Sequence, residues 1–408
     1  MDSGVRRVLA GVAAGTLSLL TSASMVASPS MAEGGSNPES VAPSSYMWSH
    51  AAVTELQQEL ATISREGLDP GSYDGAYLAQ ILATKGESAE MDAAATRVAL
   101  AVARDYAHGR VDESARVDWH IETAAPDRER LSAGLIQALR TNTLRPWLRG
   151  LLPTDPRYAA LRAALATTPA SDVAMRDRLR INLERWRWMP RSLGSEHIYV
   201  NVPSYRLNVV DHGKLVSTYT VVVGKPSTPT PLLTADARSI VVNPWWKVPP
   251  SIQRHMKGGN GFVVKDGGQL AQPPGPRNAL GKVKIEMPNR FNIYLHDTPS
   301  KSLFAAASRA YSHGCIRVKD VDQLAAQLAA LDKGSDAPVK QALAGSATRT
   351  LPLQHGRPVY LVYFTADLGR DGKIVALDDP YGRDSQLIAS LDAAPKLALK
   401  DQAKMRRG

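Results

Sequence analysis

Apolar side chains change their spacing part-way along this chain, and that change narrows the folds open to it more than any other feature. Up to about Thr168 they recur at helical intervals. Val53, Leu56, Leu60 and Ile63 share one helical face, and Gly67 with Pro70 ends that run. Val98, Val102 and Tyr106 repeat the pattern before Gly109, and further helices are expected near Leu131 to Leu144 and Tyr158 to Ala166. A short segment ending in Trp186-Arg187-Trp188 leads into a different texture. From His197 onward the period is two: Ile198, Val200 and Val202 take one face, then Tyr205, Leu207 and Val209. Asp211-His212-Gly213 is a turn, and Thr218 to Val223 returns to make a hairpin. Val283, Ile285 and Met287 alternate, as do Phe291, Ile293 and Leu295. Val359 to Thr365 and Lys373 to Leu377 flank Arg370-Asp371-Gly372 as a last hairpin. One helix interrupts these strands, with Val321, Leu324, Leu328 and Leu331 at helical spacing, Asp320 near its start and Gly334 past its end. Gly258 to Gln272 is glycine-rich without periodicity and reads as a mobile loop. The expected fold class is α+β: an N-terminal helical scaffold domain over residues 46–175, then a mainly β domain over 176–385 with a packed helix.

The two ends carry different signals. Arg6 and Arg7 precede an apolar run from Val8 to Leu20, and Ser30-Met31-Ala32 places small side chains where a signal peptidase reads. Residues 1–32 therefore read as a secretory signal peptide cut before Glu33, with export to the periplasm or cell envelope. An uncleaved anchor is the competing reading, although the run is short for a span. Residues 33–45 form a Gly/Ser/Pro-rich linker, and residues 386–408 a basic tail carrying Lys400, Lys404, Arg406 and Arg407. A formal net charge of +10 suits contact with an anionic wall or membrane surface through that tail, and a merely solvated basic surface explains it equally well. There is no arginine-rich stripe or nucleic-acid motif, so no nucleic-acid partner is expected.

Cysteine usage is the sharpest clue to chemistry. An exported chain meets an oxidising compartment, yet this one has a single cysteine and can form no internal disulfide. A lone thiol with histidines elsewhere is a candidate nucleophile, against the bland reading of an inert buried cysteine. Cys315 lies in Ser312-His313-Gly314-Cys315-Ile316-Arg317, between a loop and the helix described above. Tyr294-Leu295-His296-Asp297 ends an apolar strand. A thiol of ordinary pKa needs a base or a cationic neighbour, because the thiolate attacks. His296 could reach Cys315 if the two strands pair, and His313 competes from two residues away, so adjacency alone does not choose. Gly314 lets the backbone turn tightly and aim N–H groups at a developing oxyanion.

These residues resemble the active-site signature of the L,D-transpeptidase (YkuD-like) catalytic domain. Asn182-Leu183-Glu184-Arg185-Trp186-Arg187-Trp188, Val222-Val223-Gly224-Lys225, Asn243-Pro244-Trp245-Trp246, Pro274-Gly275-Pro276-Arg277-Asn278-Ala279-Leu280-Gly281 and Leu295-His296-Asp297-Thr298-Pro299 resemble its larger YcbB-type branch. So do Gly67-Leu68-Asp69-Pro70 and Gly109-Arg110-Val111-Asp112 in the helical half, and the likeness runs from Tyr46 to Asp384. The resemblance implies Cys315 as nucleophile and His296 as general base and acid, oriented through backbone near Asp297. It implies backbone N–H groups of Gly314 and Cys315 as the oxyanion hole, with Ser312, His313, Arg317 and Asp297 shaping the site. Tyr294, Asn278 and Trp245 would line a substrate cleft. The implied reaction joins peptidoglycan stem peptides, donor to acceptor, into 3→3 cross-links with release of D-alanine, and no metal or other cofactor is implied. Two features depart from the branch. Nothing the size of a peptidoglycan-binding module separates Ala166 from Trp186, and the segment between Pro250 and Pro274 is short for a capping subdomain. Three alternatives stay open: an L,D-carboxypeptidase using the same thioester, a non-catalytic wall-binding protein, and a zinc site from His296, His313 and Cys315 that lacks an evident fourth ligand.

Overall fold

The computed structural model describes residues 47–124, 126–254, 261–369 and 371–398. The expected signal peptide, the linker, and Lys400, Lys404, Arg406 and Arg407 lie outside them. Helices α1 (His50–Thr62), α2 (Gly75–Lys85), α3 (Ala89–His108), α4 (Arg128–Arg140), α5 (Leu144–Gly150), α6 (Pro156–Thr167) and α7 (Val173–Arg187) build the first part, with the short strand β1 (Trp119–His120) between α3 and α4. Polar caps set where they begin. Ser49, Ser88, Asp127, Asp155 and Asp172 each accept a first-turn N–H, satisfying donors that have no partner inside the helix. The pattern expected as one helix from Leu131 to Leu144 is two, because Asn142 takes φ 52° and breaks the run.

The segment before Trp188 is longer and more central than its sequence suggests. It is α7, and residues 181–189 are all buried, Glu184 and Arg187 included. Buried charge must be paired and hydrogen-bonded, and here it is. Glu184 accepts from the N–H groups of Arg110 (2.6 Å) and Val111 (2.8 Å) and from Trp188 Nε1 (3.1 Å), and it pairs with Arg187 at 2.6 Å. On another side of the helix, Asn182 Nδ2 donates to Thr365 Oγ1 at 3.0 Å and Arg185 pairs with Asp384 at 2.8 Å. The helical core continues into Tyr199, Tyr360, Val362 and Phe364 of the β part, so the described residues form one compact unit.

Strands β2 (His197–Asn201), β3 (Arg206–Asp211), β4 (Lys214–Gly224) and β5 (Leu232–Val242) follow, then β6 (Trp246–Lys247), a turn of helix α8 (Pro250–Gln253), β7 (Val263–Val264), β8 (Leu270–Gln272), β9 (Val283–Glu286) and β10 (Leu295–His296). The chain then forms β11 (Ala310–Ser312), β12 (Ile316–Val318), α9 (Val321–Lys333), α10 (Ala337–Ala344), β13 (Arg349–Val362), β14 (Ala366–Leu368), β15 (Ile374–Ala376) and α11 (Asp384–Ala393). The main sheet runs β5-β13-β2-β3-β4-β12-β10-β9, and β9 pairs back onto β5, closing it. Closure follows from the period of two. Ile198, Val200, Leu207, Val209, Ile240, Val283, Ile285, Leu295, Ile316 and Leu361 all face one interior with Leu324 and Leu328 of α9.

The structure corrects further sequence expectations. The final hairpin is β14-β15, since the long strand β13 ends at Val362. Phe291 and Ile293 precede β10 in irregular backbone, where Asn289 Oδ1 accepts their N–H groups. Asp320 makes no side-chain cap for α9 and sits at φ 54°, whereas Gly334 does end the helix at φ 71°. Within Gly258 to Gln272, the described part is not an unstructured loop, because β7 and β8 join β6 in a small antiparallel sheet. The region expected as tail opens with α11, whose Leu387 and Leu391 pack near Trp188.

Candidate active site

Sheet register answers the question adjacency left open. β10 and β12 run parallel, with Leu295 opposite Ile316 and His296 opposite Arg317, and β9 places Lys284 opposite His296. Because side chains alternate across a strand, Leu295, Ile316 and Ile285 enter the core. Tyr294, His296, Arg317 and Lys284 take the other face. Cys315, one residue before β12 on the parity of Arg317, joins them, and its thiol donates to the Asn292 carbonyl at 3.7 Å. Tyr294 is near enough to the thiol to interact with it, and its ring meets His296 edge-on at 5.5 Å. His313 does not share this arrangement. Gly314 at φ 115° breaks the extended backbone, so residues 313 and 315 lose their common face, and His313 lies exposed beside Lys225 and Arg317.

Electrostatics set the resting protonation state. His296 is buried and its Nδ1 has no hydrogen-bond partner. Burial and the Arg317 charge push its pKa down to about 3, against a smaller pull upward from the Asp297 backbone. Burial pushes the Cys315 thiol up, opposed by hydrogen bonding to Tyr294 and by the charges of Lys284 and Arg317. The pair therefore rests as neutral imidazole and neutral thiol. Burial, the thiol and the Trp246 indole all act on Tyr294, whose hydroxyl stays protonated.

The remaining expected site residues divide. Ser312 is buried, donates to the Cys315 carbonyl at 2.6 Å and accepts the Gly314 N–H at 3.1 Å. That last bond occupies one of the two donors the resemblance assigned to the oxyanion hole, since a single N–H already bonded within the loop is not free for substrate. Asp297 turns away from the histidine: its carboxylate holds Lys301 and the Lys282 N–H. Asn278 is not a cleft residue. It is 1% exposed, and its amide donates to the carbonyls of Pro244, Gln272 and Pro273. Trp245 is 39% exposed with Lys265 over its ring at 4.2 Å, and Trp246 is the tryptophan beside Tyr294. Sequence reasoning missed Lys284, although the alternation of Val283 and Ile285 already placed it on the opposite face. It also missed the Asn292 carbonyl, presented by a residue at φ 53°. A cleft of about 910 Å³ lies elsewhere, between the start of α6, β2 to β4 and β14-β15, and contains none of these groups.

Residues 195–360 match the family described as the L,D-transpeptidase catalytic domain, and residues 43–165 match the Scaffold domain family. This chain carries an L,D-transpeptidase catalytic domain behind a Scaffold domain. A Haemophilus influenzae protein provisionally named an L,D-transpeptidase is 29% identical over 286 residues, covering 62% of this chain. The chain spans 58% of the length of that relative. Among solved structures, Mycobacterium tuberculosis L,D-transpeptidase 1 is 16% identical over 41% of this chain and 61% of its own, with a TM-score of 0.21. The catalytic domain of the Enterococcus faecium L,D-transpeptidase acylated by ertapenem is 15% identical over 41% of this chain and 96% of its own, with a TM-score of 0.24.

Proposed function

We propose that the chain is an L,D-transpeptidase that forms 3→3 cross-links between diaminopimelate residues of peptidoglycan stems through a Cys315 thioester. The observation that carries the reading is the register of β10 on β12, which sets a buried imidazole with an unpartnered nitrogen on the same sheet face as the lone thiol. As the sulfur attacks the carbonyl at the L-centre of diaminopimelate, the neutral imidazole takes the thiol proton. The developing thiolate in turn favours the imidazolium. The tetrahedral oxyanion forms beside the Cys315 N–H and the Tyr294 hydroxyl. Its collapse breaks the C–N bond to D-alanine, whose amine takes the proton from His296, leaving the thioester. The side-chain amine of an acceptor stem then attacks, losing a proton to His296 and expelling the sulfur, which regains it. One amide is exchanged for another, so no external energy source enters.

Lys284, Arg317 and Lys225 around the site suit a substrate bearing carboxylates, as a stem ending in D-alanine does. We further propose that residues 1–32 direct export and that the basic tail contacts an anionic wall or membrane surface. The test is mass spectrometry of the protein with purified disaccharide-tetrapeptide, beside Cys315→Ala. A cross-linked dimer formed with loss of D-alanine, absent from the variant, is the expected result. Trimmed tripeptide alone would make the enzyme an L,D-carboxypeptidase. No product and no acyl adduct on the protein would leave a wall-binding role.

A further inference from the structure

The loop that carries Cys315 is held from outside by a residue none of the motifs contain. Thr230, fully buried, donates its hydroxyl to the Gly314 carbonyl at 2.7 Å, and the same oxygen accepts the Gly224 N–H at 2.9 Å. Its own N–H donates to the Tyr381 hydroxyl at 3.1 Å, and that hydroxyl donates to the Gly224 carbonyl at 2.8 Å. The turn leading into Thr230 grips the loop as well, since Thr228 Oγ1 and the Lys225 N–H both donate to the Ser312 carbonyl at 3.1 and 3.0 Å. Gly224 is what permits this approach. A Cβ there would lie 2.6 Å from the Thr230 nitrogen, too close to be accommodated.

The Gly314 carbonyl belongs to the same peptide unit as the Cys315 N–H. In a trans peptide the two groups point in opposite directions. A hydroxyl that fixes the carbonyl on one side therefore fixes the direction of the N–H on the other, and it polarises that N–H as a donor. Gly314 at φ 115° gives this peptide an orientation other residues rarely reach, so an external bond is what selects it. With the Gly314 N–H already taken by Ser312, the Cys315 N–H is the donor left on this turn for an oxyanion.

We propose that Thr230 is a positioning residue that aims the Cys315 N–H at the tetrahedral oxyanion by holding the Gly314–Cys315 peptide plane. This rests on the reading of Cys315 as an acyl-transfer nucleophile. Reactions that pass through an oxyanion should therefore depend on the Thr230 hydroxyl, and reactions of the same sulfur that form none should not.

The experiment uses the full chain as Thr230→Val, Thr230→Ser and wild type. Cys315 acylation is followed with disaccharide-tetrapeptide and with p-nitrophenyl acetate, and alkylation of the same thiol with iodoacetamide. We expect Thr230→Val to slow both acylations by about tenfold or more, as a weakened oxyanion donor should. Alkylation should stay within about threefold, and Thr230→Ser should return acylation to near wild type. Acylation by Thr230→Val at the wild-type rate would overturn the proposal. So would acylation and alkylation falling together, because that marks general disruption of the loop. If wild type reacts with p-nitrophenyl acetate and never with the tetrapeptide, the peptidoglycan reading fails while the role of Thr230 is still decided.

Discussion

Consider lowering the pH on the wild-type protein and on His296→Gln, which keeps a buried polar side chain at this position but cannot titrate. His296 falls from an ordinary value near 6.5 to about 3 in the folded protein, so it stays neutral where an unfolded chain would protonate it. Between those values the unfolded state binds the extra proton. Stability contributed by this group is then complete above about pH 6.5 and is lost progressively as pH falls toward 3. At about 1.36 kcal/mol per pH unit, the descent from pH 6.5 to pH 5 corresponds to about 2 kcal/mol. Other titrating groups are shared by the two proteins and cancel in their difference. Urea titrations of both at about pH 7.5 and about pH 5 should show wild type losing about 2 kcal/mol more than the variant. The opposite sign would refute the reasoning. A resting imidazolium–thiolate pair would raise the histidine pKa, and wild type would then gain stability relative to the variant as pH falls.

Lys284 lowers the thiol pKa by its charge, so Lys284→Met should move the pH midpoint of Cys315 alkylation upward. A midpoint higher by about half a pH unit slows the reaction roughly threefold at fixed pH. Glu184→Gln strips the carboxylate from buried Arg187, and chemical denaturation should report a loss of about 3 kcal/mol. Trp246→Ala should slow acylation about tenfold by releasing Tyr294, while Trp245→Ala, on the exposed side, should leave it within about twofold. Tyr381→Phe removes the hydroxyl that bridges Gly224 and Thr230. It should slow acylation by less than Thr230→Val, and a larger effect would mean that Tyr381 acts on the loop by another route.

The architecture was legible because periodicity is a local property. Helical spacing around Val53 and Val98 and alternation from Ile198 each describe a buried face before any partner is known, and the structure buries those faces. Register is not local. Whether His296 or His313 accompanies Cys315 depended on β10 pairing with β12 and on the positive φ of Gly314, and neither is written in the spacing of two histidines. Asn278 and Asp297 misled for a related reason. A polar residue inside a recognised motif reads as facing substrate, yet Asn278 spends its amide on three carbonyls of neighbouring turns and Asp297 secures the Lys282 N–H.

The helical part and the site are linked through contacts that no motif announces. Arg185 of α7 lies over the Tyr363 ring at 5.2 Å, and Tyr363 stacks with Tyr381 at 5.4 Å. Arg383 lies over both rings and pairs with Asp118 at 2.5 Å, beside β1. Tyr381 then reaches Thr230, and Thr230 reaches the Gly314 carbonyl. Each step is a polar or stacked contact, most of them between residues far apart in sequence, and cation–ring contacts of this kind strengthen as water is excluded. The residues matching the catalytic family end at 360, so Tyr363, Tyr381 and Arg383 reach the nucleophile loop from beyond that span. A path of contacts therefore runs from α7 and the segment before α11, through Tyr381 and Thr230, to the loop that carries Cys315.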